Sequence, residues 1–268
     1  MLSGMAELER ASVEDLITRT LDSSFEAEDE VGNPKSIASW DALMTLVKRD
    51  DDEVFEAAKC LLASGDPWRR ARGATILGQF QQGSKASERF AALSTALDRE
   101  DDARTLSCLI HAISHLHDPR TLSRVLGFVQ HPNREVRRAV AMSMDAGWGD
   151  GAVAALCALC SDEWAGVRDW ATFKFRISDI DSDEIRQCLR VRLQDPDPET
   201  RAEAICALAR RRDLACLKQL VNDLSNLDAW DDYFCHIEAA HQLIGCAPDD
   251  ERSPEELRDE LVRMYPSP

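Results

Sequence analysis

Cys157-Ala-Leu-Cys160 is the first spacing in this chain that invites chemistry, because two thiols three residues apart can form a redox couple or half of a zinc site. No second CxxC follows, and the pair lies in an apolar run that reads as helix, so core packing is the favoured reading. Nine Cys is an odd count for a disulfide framework. Cys60, Cys108 and Cys206 also sit in apolar helical patterns, as reduced, buried thiols do. His111 and His115 stand one helical turn apart, close enough to share a divalent ion, but only Asp118 offers an acid at a helpful spacing. A place on the surface or between neighbouring repeats suits these imidazoles better. His236 and His241 are five apart and share a helix face poorly. Arg69, Arg70 and Arg72 read either as an anion site or as a solvated or inter-repeat basic cluster. The phosphate-loop, dinucleotide, zinc-protease and nucleophile-elbow signatures are all absent from the sequence. The expectation is therefore a chain with no catalytic residue, no metal and no cofactor.

Charge narrows the partners. The formal net charge is -17, and it is concentrated at the ends: residues 1–56 hold 15 acids against 5 bases, and 226–268 hold 11 against 3. The middle, 57–225, is balanced at 23 against 24. Such a field repels phosphate backbones and speeds encounter with basic partners, so direct nucleic-acid binding is disfavoured. Met1 to Leu16 carries Glu7, Glu9, Glu14 and Asp15 and no apolar stretch of signal or transmembrane length. The expectation is a cytoplasmic chain without a membrane partner.

The elements that must position these residues repeat. Val136-Arg137 and Val167-Arg168 stand 31 residues apart and Thr200-Arg201 follows 33 later, each opening an amphipathic stretch after a turn with Asp or Pro. Thr200, Ala204, Ala207 and Leu208 have the i, i+4, i+7, i+8 spacing of a helix face. The same register fits at Arg70, Leu106 and Ile237, giving about six units. A second apolar helical run lies between successive members, such as 122–129, 152–159, 185–193 and 214–224. Each unit is then two antiparallel helices that cannot bury their apolar faces alone, so neighbours must stack. Asp195-Pro196-Asp197-Pro198-Glu199 offers a side-chain cap and acids at a helix start, and the recurring Arg is spaced to reach the Asp of an adjacent turn.

The ends depart from the pattern. An N-terminal helix over about Val13 to Leu21 and an acidic loop from Ser23 to Lys35 make a cap of 1–49, before about six repeats over 50–245. The remaining 246–268 hold a turn and a capping helix, Pro254 to Met264, with Ser253 as its cap. The fold class expected is all-α: a right-handed superhelix of antiparallel helix pairs.

Two strings are more specific than the generic repeat: RRARGATILGQF from Arg69 to Phe80, and VRDWATFKFRISDIDSDEIRQCL from Val167 to Leu189, continued by LQDPDPETRAEAICALARRRD to Asp213. Over roughly residues 50–245 these units resemble HEAT repeats of the type named after phycobilin lyases. The two strings together resemble bacterial HEAT-repeat proteins that include immunity proteins encoded beside Rhs-type polymorphic toxins. The resemblance implies a two-helix solenoid without catalytic residues and, in the immunity members, neutralisation of one cognate toxin.

Helical geometry picks a binding face. If Val167, Ala171 and Phe175 face the core, then Asp169, Trp170 and Phe173 point away from it. Equivalent outward positions are Trp68, Arg72, His111, Arg138, Glu203 and Glu238, joined by Trp230, Asp231, Asp232 and Tyr233 before the last second helix. Aromatic side chains among charges suit interface anchors, though Trp170 equally suits packing between repeats. The expected function is protein binding by an immunity protein, with a basic toxin domain such as a nuclease as partner. Its alternatives are a lyase-type HEAT protein acting on a bilin-bearing protein and a general adaptor.

Overall fold

The computed structural model describes residues 7–21, 37–79, 85–225, 233–246 and 251–266. The loop expected over Ser23–Lys35 and the positions Trp230, Asp231 and Asp232 lie outside the described residues; Tyr233, named with them, is the first residue of a helix. Among the described residues all regular structure is helical, fifteen α-helices joined by turns and short 3-10 segments. The chain divides into two compact units, Met1–Ser143 and Met144–Pro268.

In the first unit the helices are α1 (Val13–Leu21), α2 (Ile37–Arg49), α3 (Asp52–Leu62), α4 (Pro67–Gly78), α5 (Ala86–Leu97), α6 (Ala103–His115), α7 (Thr121–Val125) and α8 (Arg134–Ser143). Helix α1 packs on α2, and α3 and α5 pack on α4 and α6 respectively; α4, α6 and α8 stack side by side as an even-numbered row. The second unit holds α9 (Asp150–Leu159), α10 (Ala165–Arg176), α11 (Asp183–Arg192), α12 (Pro198–Arg210), α13 (Leu217–Leu224), α14 (Tyr233–Ile244) and α15 (Pro254–Met264). Here α10, α12 and α14 form the even row, and α15 closes on α13 and α14.

Small residues set how closely the even row stacks. A Cβ on Gly78 would fall 2.5 Å from Ala112 Cα, and one on Gly73 would fall 2.8 Å from Ala58 O. Gly78 thus lets α4 lie against α6, and Gly73 lets it lie against α3. Enclosed on several sides, α4 buries every residue from Ala71 to Gly78 and α6 every residue from Thr105 to Ser114.

The turns hold themselves by capping. Asp51, Asp66, Asp102 and Asp197 accept from the first-turn amides of α3, α4, α6 and α12, with Pro at the start of α4 and α12. Ser253 and Glu256 form a reciprocal capping box on α15, where Ser253 is expected as the cap.

One arginine device recurs four times. Nη1 of Arg70, Arg137, Arg168 and Arg201 donates to the carbonyls six and five residues earlier, at 2.7–3.2 Å, and so clasps the turn that precedes its own helix. For Arg70 and Arg168 the rest of the guanidinium reaches the next repeat. Arg70 grips Glu100 through two 2.7 Å bonds, and Arg168 grips Asp195 through two 2.8 Å bonds. These are the links to an adjacent acid that the spacing predicts. Glu100 and Asp195 then accept from the amides of Asp102 and Asp197, the residues that cap α6 and α12. Burial alone would raise the Asp195 carboxyl, but Arg168, the Asp197 amide and Arg192 hold it below the usual carboxylate value.

Candidate binding face on the second unit

The side chains predicted to point outward do not share one fate. In the first unit Arg72, His111 and Arg138 are buried, at 0%, 5% and 8% exposure, which corrects the expectation of an accessible face there. An isolated helix pair gives each helix two sides, one toward its partner and one toward solvent. The even-row helices have further neighbours on their flanks, and these positions fall there. His111 Nδ1 lies 2.9 Å from Ser143 Oγ on α8, and the Arg72 guanidinium sits 4.8 Å over the half-buried Trp68 ring. Trp68 itself donates from Nε1 to the carbonyl of Leu21 at the end of α1, 3.4 Å away. Arg138 lies 3.4 Å from Glu135. Of these, His111 and Trp68 tie one helix to another, whereas Arg72 and Arg138 lie against side chains of their own helices.

The second unit fits the expectation better. Val167, Ala171 and Phe175 are fully buried, while Asp169, Trp170 and Phe173 on the other side of α10 are half-buried, as are Glu203 on α12 and Glu238 on α14. Asp169, Phe173 and Arg176 follow an i, i+4, i+7 line down α10. Trp170 meets Phe173 edge to face at 5.5 Å, and the Arg176 guanidinium lies 5.2 Å from the Phe173 ring centre. Arg176 Nη1 is 3.2 Å from Glu203 Oε1 and donates to Cys235 Sγ at 2.8 Å, which ties α10 to α12 and α14. The second oxygen, Glu203 Oε2, is buried with no hydrogen-bond partner among the described residues.

Charge here is crowded. Burial raises the Asp169 carboxyl to about 6, helped by Glu199 and Asp197, and one oxygen from each of these three acids lies within 4.8 Å of the others. Glu203 is pushed up to about 7, by burial first; Arg176 opposes the shift while Asp169 and Glu238 add to it. Two carboxylates in succession on one face therefore pay for their negative charge, and one guanidinium among them does not neutralise it.

Arg176 and Cys235 escaped the sequence reading. The signal for Arg176 was present, since it stands seven residues after Asp169 on the same helical line; nothing local marked Cys235. Asp197 and Glu199 read only as a cap and a first-turn acid.

This arrangement defines a class before it suggests a relative: helix pairs of a little over thirty residues, stacked through their second helices, with carboxylates and aromatic rings on the accessible side. Residues 90–176 match the HEAT repeat family. The chain is similar to protein YibA of Escherichia coli, in strain K12 and in O157:H7, at 30% identity over 184 residues. That stretch is 65% of this chain, and it spans 64% of the length of those relatives. The X-ray structure of E. coli YibA superposes with a TM-score of 0.73 at 23% identity, over 97% of this chain and 95% of that one, a likeness of fold. An engineered protein follows at a TM-score of 0.53 and 15% identity, covering 95% of this chain and 78% of its own. No helix among the described residues is long and apolar enough to cross a membrane.

Proposed function

We propose that the chain is a non-enzymatic binding protein that neutralises a cognate bacterial toxin by seating a basic surface of it against α10, α12 and α14. The observation that carries the proposal is the pair of half-buried carboxyls, Asp169 and Glu203, both raised by burial first and then by neighbouring acids. A guanidinium or ammonium brought by a partner against these half-buried acids offsets their mutual repulsion, so affinity and charge complementarity come from the same contact. Trp170 and Phe173 flank the acids and give the apolar area that interface anchors need. The likeness of the two sequence strings to immunity proteins supplies the class of partner, and the net charge of -17 suits a basic domain such as a nuclease.

The test is co-expression with the product of the adjacent gene. Rescue of growth and co-purification as a defined complex support the reading; toxicity unaffected by this chain, with no complex recovered, ends it.

A further inference from the structure

The cysteine pair marked by its spacing gains a third thiol in the fold. Cys157 and Cys160 lie one turn apart on α9 and its end, and α11, the next odd-numbered helix of the same unit, brings Cys188 to them. Cys188 Sγ is 3.9 Å from the carbonyl oxygen of Cys157 and interacts with the thiols of both Cys157 and Cys160. Cys160 is sealed, with its sulfur 3.6 Å from Thr172 Oγ1, whereas Cys157 and Cys188 are half-buried and reachable by a small reagent. All three are free thiols.

We propose that Cys157 and Cys188 are a modification site, which a low-molecular-weight disulfide oxidant of the glutathione class converts to an intramolecular disulfide joining α9 to α11. Cys188 sulfur attacks the oxidant; its S–S bond breaks, one thiol leaves with the electron pair, and a mixed disulfide forms on Cys188. Cys157 sulfur then attacks Cys188 sulfur and expels the second thiol. Two protein thiols are oxidised, one small disulfide is reduced to two thiols, and the two protein protons end on the leaving sulfurs. The hydrogen bond with Cys188, and then burial, raise the Cys157 thiol; Cys188 is raised as well, Cys157 opposing and Cys160 and burial prevailing. Both are therefore protonated at neutral pH, so exchange is slow there and quickens in alkali. The cross-link ties neighbouring repeats on the odd-numbered row, behind the acidic face of α10 and α12.

The experiment incubates the full-length chain with oxidised glutathione at about pH 8.5, alkylates remaining thiols, and maps peptides without reduction. The expected product is one peptide pair linking Cys157 to Cys188, lost on adding dithiothreitol and in Cys188→Ser. The loop closed is 31 residues apart in sequence. Oxidation should then raise Tm by about 5 °C in the unmodified chain. The wild-type map stands whether or not the variant folds. Free alkylated Cys157 and Cys188 after oxidation, a mixed disulfide that never resolves, or a link from Cys188 to Cys160 each overturns the proposal.

Discussion

Asp169 and Glu203 carry opposite consequences for folding and for binding. A carboxyl whose folded pKa lies above its unfolded one stabilises nothing at low pH and costs stability once it ionises, so the cost grows as pH rises from about 4 to 7. Glu203→Gln, which mimics the protonated acid, should leave urea unfolding nearly unchanged at pH 5 and raise the midpoint at pH 8. Equal effects at both values would mean that Glu203 is an ordinary surface acid. A basic partner favours the ionised form, so its affinity should climb between pH 5.5 and 8, with proton release on binding measurable by calorimetry in buffers of different ionisation heat. Asp169→Arg should weaken the complex more than tenfold, and Trp170→Ala by about 2 kcal/mol, roughly thirtyfold in Kd. Unchanged affinity in both variants moves the interface elsewhere.

At the scale of elements, periodicity made most of the helices legible. The spacing of apolar residues predicts α1, α9, α11 and α15 almost to the residue, because each is an amphipathic segment between clear turn signals. It predicts Asp169, Trp170 and Phe173 as outward for the same reason. It fails at Arg72, His111 and Arg138, which are buried; at His111 the contact comes from Ser143 on α8, a full repeat away, and leaves no local mark. Close stacking has its own test. Gly78→Val should cost at least about 1–3 kcal/mol in chemical unfolding, since its Cβ would meet the Ala112 backbone and no side chain there can swing aside. Removing the buried Asp195 by an Ala substitution strands Arg168 and Arg192 and should cost about 3–5 kcal/mol. The contribution of this carboxylate is present above its unfolded pKa and is lost as pH falls through its lower folded one, the reverse of Glu203.

For the molecule as a whole, charge governs approach and the helix rows govern what is met on arrival. With both ends acidic, association with a basic domain should slow steeply as salt rises from 50 to 500 mM, while dissociation changes little; a salt-insensitive on-rate in stopped-flow would contradict electrostatic steering. The two-sided use of Arg70 and Arg168 reaches further than either bond. One half of the guanidinium tidies its own doorway and the other half shakes hands with the next house, so the two duties can be severed separately. A chain stripped only of the receiving carboxylates should keep each module's internal order yet lose the cooperation that makes modules melt together, and its unfolding would broaden into steps before any single module fell apart.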